Sequence, residues 1–405
     1  MSLGNVGAII LSMAYIILCI SDALLALGNN NSMLIKVIAF GLISLSIIIR
    51  PRFHRLIGLL LPLLLVLCVS LIKSFNVNAG LEELFRFLSP VTITIALFAY
   101  RDRLAIIVVT FLGVVITNDL AQCYFYLAYV AHLPSFMPYR IDSGLFLRAQ
   151  GWIGFFSEFS FMNFCAFLLY RWLRPATSSK VMKSVFILFS LLGFSFKIFA
   201  TWAIYPFLIG RKGIKAWVCI GLGLSLTAFV VVNGYVDSLL DVGATKLSFY
   251  VIDGNSARAE SYRVMAESLE SGNFAGEGLG AFGGPASIAF NSPTYAKYHF
   301  DWFGLSLATT DTFYPHLVVE TGVVGAILWM AMMLLYGQRC KRAIWMFVVG
   351  AFCFDNIFSM AFLSPSYVFS ALLLMHVFSQ INYTDILARR LKMPPQIKVY
   401  KDSDF

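Results

Sequence analysis

Apolar runs close to the length of a bilayer crossing recur from one end of this chain to the other, divided by short polar or basic stretches. Runs of that length fit a hydrocarbon layer better than the one-sided pattern of a soluble helix. They fall at 6–27, 33–49, 56–75, 84–100, 104–130, 152–170, 184–196, 198–209, 216–234, 311–336, 344–362 and 366–382. The pattern predicts an all-α polytopic membrane protein with about twelve transmembrane helices, forming one integral membrane domain over residues 1–405. The run from residue 6 is read as the first of these helices. Met1 to Val6 carries no Lys or Arg, and no small-residue cleavage site comes after it.

Residues 184–209 hold basic clusters at both ends, so the chain has to go in and come back. Each half has room for roughly 20 Å of helix against a core of about 30 Å. Two short helices meeting in an outward-facing cavity would resolve this, with Lys197 at the turn. The alternative is one long tilted helix with Lys197 snorkelling.

Composition agrees with the pattern: 59% of residues are hydrophobic and 13% charged, well below the charge of a soluble domain. The net charge of +9 raises the question of nucleic acid, and its distribution answers it. Twenty of the 30 Lys and Arg lie in short clusters at 50–55, 101–103, 171–183, 211–215, 339–342 and 389–401, and the segments that carry them hold only four of the 21 acids, Asp102, Asp385, Asp402 and Asp404. The twelve-span threading puts all of these on one side, with both termini, as cytoplasmic loops require. No basic stripe suited to nucleic acid remains. The seven Cys form no CxxC pair, so neither a disulfide framework nor a zinc site is indicated. There is no Walker motif and no inverted repeat.

Segments 28–32, 76–83, 131–151 and 235–310 face the other side. The last is far longer than a turn needs, which marks it as functional. Within it the run from Ser256 predicts a short amphipathic helix, capped by Ser256 and stopped by Gly272. Arg258 and Tyr262 share one face, and Arg263 pairs with Glu267 on the next. GEGLGAFGG (276–284) suits either a phosphate nest or a tight return turn. The rings of YAKYHFDWF (295–303) suit either sugar stacking or, more commonly, a seat at the bilayer interface.

The loop closes at Asp311, His316 and Glu320, where Pro315 suits the first turn of a helix but disfavours helical geometry at Tyr314. His316 and Glu320 stand at i,i+4, and with no third ligand visible they read as a hydrogen-bonded pair rather than a metal site. In LFLRAQGWIGFFSEFSFMNF (145–164), Arg148 stands outside the apolar layer. Glu158 is placed about two turns inside the next helix, where an acid is functional unless an ion pair with Lys197 or Arg148 explains it.

Taken together, RAQGWIGFFSEFSF, NSARAESYR, GEGLGAFGG and FYPHLVVETGVVGAILW resemble the Wzy-type O-antigen and capsule polymerases and the related O-antigen ligases. The resemblance covers topology over most of the chain and short motifs from about 145 to 330. It implies a GT-C-type glycosyltransferase of the bacterial inner membrane, metal-independent and without a cofactor, with a large periplasmic loop. The donor would be a glycan on undecaprenyl pyrophosphate. The acceptor would be another lipid-linked repeat unit, elongated at its non-reducing end with inversion. Membrane lipids and a chain-length regulator would be its further partners.

Residue by residue, the resemblance assigns Arg148 and Arg258 or Arg263 to the pyrophosphate, His316 to the functional His and Glu158 to an acidic position of the polymerases. Tyr262 and Lys197 join the binding set, although Ser195-Phe196-Lys197 departs from the Ser-Arg many members carry. The acceptor's proton could go to His316, oriented by Glu320, or to Glu158 itself. Two other activities remain open: an O-antigen ligase acting on lipid A–core, and a lipid-linked sugar transporter, for which Asp22, Asp119 and Asp355 offer a sparse polar path.

Overall fold

A computed structural model describes residues 3–29, 31–139, 141–142, 146–173, 179–208, 256–301, 310, 312–338 and 343–380. The expected span 216–234, the loop stretches 235–255 and 302–309, Asp311, and the basic clusters at 211–215, 339–342 and 389–401 lie outside these residues.

The architecture is helical. The first half holds α1 (Leu3–Ala26), α2 (Ser32–Ile49), a 3-10 turn (Arg55–Leu59) leading into α3 (Leu60–Ile72), α4 (Val77–Ala99) and α5 (Leu104–Ala131). A short pair of strands, β1 (Ile141–Asp142) and β2 (Phe146–Leu147), precedes α6 (Phe156–Leu173), α7 (Lys180–Leu192) and α8 (Phe196–Leu208). The loop supplies α9 (Ala257–Glu270), α10 (Pro285–Ala289) and α11 (Thr294–Lys297). The chain then runs through α12 (Phe313–Leu335), α13 (Ala343–Ile357) and α14 (Pro365–Gln380).

Among the described residues, five segments are long and apolar enough to cross a membrane: α1, α2, the 3-10 turn with α3, α5 and α12. Their outward faces fit that role. Leu34, Val37, Ile38, Leu45 and Ile48 of α2, and Leu61, Leu65, Val69 and Ile72 of α3, are exposed, an apolar surface that only a bilayer or another protein would cover. The hub is α14. It packs against α1, α4, α5, α6 and α13, and every residue from Pro365 to Ser379 is buried, as expected of a helix without a wet face.

The basic clusters at 50–55 and 101–103 come together at one end. Arg50 donates to both carboxylate oxygens of Asp102 at 2.7 and 2.8 Å. The Arg101 guanidinium lies over the Phe98 ring at 4.9 Å, and the His54 amide donates to the Tyr336 hydroxyl at 3.0 Å. The opposite end gathers the 76–83 segment, the described part of the loop and the α7–α8 turn.

Several boundaries differ from the sequence reading. Helix α4 starts earlier than expected because the Asn76 side chain caps the amides of Asn78 and Ala79, which takes Glu82 and Glu83 into the helix. Helix α6 starts later, because Gly151 and Gly154 turn the chain at φ 60° and 88°. Glu158 is therefore in its first turn rather than two turns inside. Helix α12 includes Tyr314, since a proline in the first turn lacks only an N–H that would have no partner there.

The in-and-out reading of 184–209 fits the structure and the single tilted helix does not. α7 and α8 are separate helices of 13 residues, and the Trp202 indole N–H donates to Ser190 Oγ at 2.9 Å. In one continuous helix those residues would sit about 18 Å apart.

The largest departure is inside α12. Gly322 has φ 70° and ψ 177°, and the helix breaks there. The carbonyls of Val319 and Glu320 accept instead from the amides of Glu277 at 2.7 Å and Gly278 at 3.2 Å. That φ/ψ region is essentially reserved for glycine, and a Cβ at Gly322 would also collide with the Phe274 carbonyl. Gly322→Ala should lower stability by about 1–3 kcal/mol from backbone strain alone. A fall in the thermal unfolding midpoint in detergent, with faster proteolysis within 256–301, would show it.

Candidate functional site

His316 and Glu320 lie one turn apart on the same face of α12, as expected from their spacing. They do not bond directly: His316 Nδ1 is 3.7 Å from Glu320 Oε1, beyond hydrogen-bond reach. The backbone of Phe282, within the Gly-rich run, bridges them instead. Its carbonyl sits 2.5 Å from His316 Nδ1 and its amide donates to Glu320 Oε1 at 3.0 Å. A carbonyl can only accept, so Nδ1 carries a proton and Nε2 faces away from the bridge. On that side is Glu83 of α4, with Oε2 3.4 Å from His316 Nε2. The other oxygen of Glu83 accepts from Arg86. Phe87, one turn along α4, stacks on the imidazole with centroids 5.2 Å apart.

Glu83, His316 and Glu320 are each 0% exposed. One ligand atom from each lies within 4.8 Å of the others, and Glu83 Oε2, His316 Nε2 and Glu320 Oε2 have no hydrogen-bond partner. This trio is what could hold a metal. Only two of its members stand out in the sequence. Glu83 is hidden there because the apolar pattern makes it the last residue of a polar loop; the available signal is an acid three residues before Arg86, leading directly into an apolar helix.

The Gly-rich run does not offer its amides to a phosphate. Those of Glu277, Gly278 and Leu279 bond the carbonyls of Val319, Glu320 and Ser70, and that of Gly283 bonds Tyr295 Oη. The glycines allow contact: a Cβ at 276, 278 or 280 would strike the backbone of Glu320, Lys73 or Ala79. Lys73 Nζ and Ser74 Oγ, at the end of α3, donate to the carbonyls of Gly276 at 3.1 Å and Leu279 at 2.7 Å. The run is a seam between the loop and α3, α4 and α12. The described aromatics of 295–303 turn inward. Tyr295, Tyr298 and Phe300 are buried with Phe282, Val264 and Val319 in the loop's own core.

A second group forms around the α7–α8 turn. Arg148 lays its guanidinium over the Phe156 ring at 3.4 Å. Its Nε and Nη2 donate to the carbonyls of Gly193 at 3.1 Å and Phe194 at 3.0 Å. Lys197, a few residues on, pairs with Asp355 at 2.6 Å, with its side chain 14% exposed. The Tyr262 hydroxyl donates to the Ile357 carbonyl at 2.9 Å, seating α9 on the end of α13 two residues past Asp355. Arg258 lies one turn before Tyr262 on the same face and is half-buried. Arg148 and Lys197 thus lie at the α7–α8 turn and Tyr262 at the neighbouring end of α13, although the chain separates them widely, and Arg258 is one turn along α9 from Tyr262. The burial of Tyr262 pushes its phenol up to about 12, so it acts as a donor.

Glu158 and Arg263 have partners away from this group. Glu158 pairs with neither Lys197 nor Arg148. It is buried and accepts from Ser366 Oγ, which also contacts Asp22 Oδ2 at 2.5 Å, and Asp22 pairs with Lys36 at 3.2 Å. Arg263 binds within the loop: to Glu267 as expected and to Glu260, both at 2.7 Å, and to the carbonyls of Tyr298 and His299 at 3.1 Å. The mid-membrane acids offer no continuous path among the described residues, since Asp119 holds Asn163 at 2.8 Å and Asp355 holds Lys197.

Compared with known proteins, the chain matches no family model, no curated protein and no solved structure.

Glu277 ties the seam to α11. It accepts from Lys297 at 2.6 Å and from the Tyr298 hydroxyl. Burial would raise its carboxyl, but the hydrogen bonds from Lys297 and Tyr298 and the Lys297 charge outweigh it and hold the group below its ordinary 4.5. A carboxylate lowered on folding stabilises above its unfolded value, and that contribution is lost as pH falls through the folded value. Hydrogen-exchange protection across 256–301, taken relative to the intrinsic rate at each pH, should therefore fall as pH drops below 4.5. Glu277→Gln should show a flatter pH dependence over the same range.

Proposed function

We propose that the chain is a Wzy-type polysaccharide polymerase, a GT-C-type glycosyltransferase of the bacterial inner membrane working at the periplasmic face. It would move a growing glycan from undecaprenyl pyrophosphate to the non-reducing end of another lipid-linked repeat. The observation that carries this reading is that Arg148 and Lys197 share the α7–α8 turn and that Tyr262, one turn from Arg258 on α9, is seated on the end of α13 beside the Lys197–Asp355 pair. A lipid pyrophosphate presents several negative charges at one membrane surface. Arg, with its planar fork of donors, is suited to phosphate oxygens.

In this reading the acceptor hydroxyl oxygen attacks the anomeric carbon from the face opposite the pyrophosphate. The carbon–oxygen bond to pyrophosphate breaks, its electron pair stays on the leaving oxygen, and the hydroxyl proton goes to a carboxylate. Arg258 and Lys197 stabilise the leaving charge. Arg148 is a positioning residue, because it fixes the α7–α8 turn that presents Lys197. Glu158 lies two residues after Phe156, the ring beneath Arg148, which favours it as the proton acceptor. His316 and Glu320 are both tied through the Phe282 backbone to the Gly-rich run and serve by holding the loop in place.

The test is an in vitro reaction of purified protein with lipid-linked repeats extracted from a strain lacking this gene, scored as a glycan ladder. The wild type should build the ladder. Arg258→Ala should slow it roughly 100-fold, the usual loss when one donor to a developing oxyanion is removed, with the unfolding midpoint unchanged. An unaffected rate in both Arg258→Ala and Lys197→Ala would sink the site. Transfer of glycan only to added lipid A–core would replace the polymerase with a ligase.

A further inference from the structure

We infer that Glu83, His316 and Glu320 form a divalent-cation site, best matched to Zn2+, that clamps the Gly-rich run of the loop to α4 and α12. This does not depend on the glycosyltransferase reading.

The argument begins with the division of labour within each side chain. Each has one atom tied and one atom without a partner. Glu83 gives Oε1 to Arg86 and leaves Oε2. Glu320 gives Oε1 to the Phe282 amide and leaves Oε2. His316 gives Nδ1 to the Phe282 carbonyl and leaves Nε2. Metal-binding histidines are held in this way, with the second nitrogen donating to a carbonyl so that the lone pair of the first is aimed and fixed.

Spacing agrees. His316 Nε2 and Glu83 Oε2 are 3.4 Å apart, about the edge of a tetrahedron with bonds near 2.1 Å, as zinc makes to imidazole and carboxylate. Without a cation, His316 Nε2 and Glu83 Oε2 meet only each other, as a long ion pair, and Glu320 Oε2 is left unpartnered in a fully enclosed place, at a cost of about 1–3 kcal/mol and more if charged. Among the described residues no other set of three His, Cys, Asp or Glu comes this close together.

Arg86 meets Glu83 and the part-exposed Glu82, so net charge does not choose between an imidazolium and a cation, and the choice rests on the aim of the three atoms and on the donor set. One nitrogen and two oxygens in a closed site suit zinc better than calcium or magnesium, which take more oxygens and keep water. The site is sealed and backed by Phe87, so the cation would tie three parts of the fold together without touching substrate.

The full-length protein would be purified in detergent from cells grown with trace metals, and its metals measured by inductively coupled plasma mass spectrometry. About one zinc per chain is expected from the three-ligand set. A membrane-permeant chelator should lower the unfolding midpoint, and added Zn2+ should restore it. Glu83→Gln, His316→Gln and Glu320→Gln should each lose the metal and the response to chelator. Manganese or iron in place of zinc would keep the site and change its occupant. Wild type with no stoichiometric metal, and with a midpoint indifferent to chelator and to added Zn2+, would overturn the proposal in favour of a metal-free imidazolium between two carboxylates. Full metal content in all three variants would overturn the ligand set. None of these readouts involves polymer formation, so they separate this inference from the proposed activity.

Discussion

The break in α12 is the constraint on which the rest of the described structure depends. A helix interrupted at Gly322 exposes carbonyls that an apolar setting cannot hydrate. The loop supplies the missing donors through the amides of Glu277 and Gly278. Once the loop backbone is drawn that close, side chains are excluded along it, which is why glycine recurs from 276 to 284. The seam in turn fixes Phe282 between His316 and Glu320. Helix α9 packs beside α12 at the same end, with the Ser261 and Thr312 hydroxyls 2.6 Å apart. A short irregularity in one helix thus explains an otherwise puzzling composition about 40 residues earlier in the sequence.

Electrostatics divides the molecule in two. One end holds arginines joined to Asp102 and to aromatic faces, as suits a surface that stays in water beside lipid. The other end buries its charges and pairs them: Lys36 with Asp22, Lys197 with Asp355, Arg86 with Glu83. Removing one partner from such a pair leaves an uncompensated charge, so these pairs constrain how the helices can shift past one another. Lys197, one of the cations proposed to meet substrate, is itself held in such a pair.

Much of the architecture is legible in the sequence because apolar run length and basic punctuation are strong, local signals. The helices, the Ser256 cap, the Gly272 stop and the Arg263–Glu267 pair all arise from residues within a turn of one another. The site is less legible because its geometry is made by contacts across the chain. Nothing near His316 reveals that Phe282 stands between it and Glu320, nor that Glu83 closes the trio from another helix. The aromatic run misleads for a related reason: rings beside Gly-rich backbone look alike in sequence whether they cover lipid, sugar or a small core. Glu158 is placed too deep by the sequence because Gly151 and Gly154 continue an apolar pattern while turning the chain in space.

The two short helices α7 and α8 carry a consequence for how the membrane itself would behave. Val181, Leu188, Phe199 and Ile204 are exposed along them, so acyl chains would cover helices of only about 20 Å against a layer of about 30 Å. Lipid there would have to thin or water would have to enter, and either change shortens the insulating layer. The voltage across the membrane would then fall over a shorter distance at this face than elsewhere around the protein. An anionic head group held at the α7–α8 turn would sit close to that steepened field, and its energy would depend on membrane potential as well as on the side chains around it.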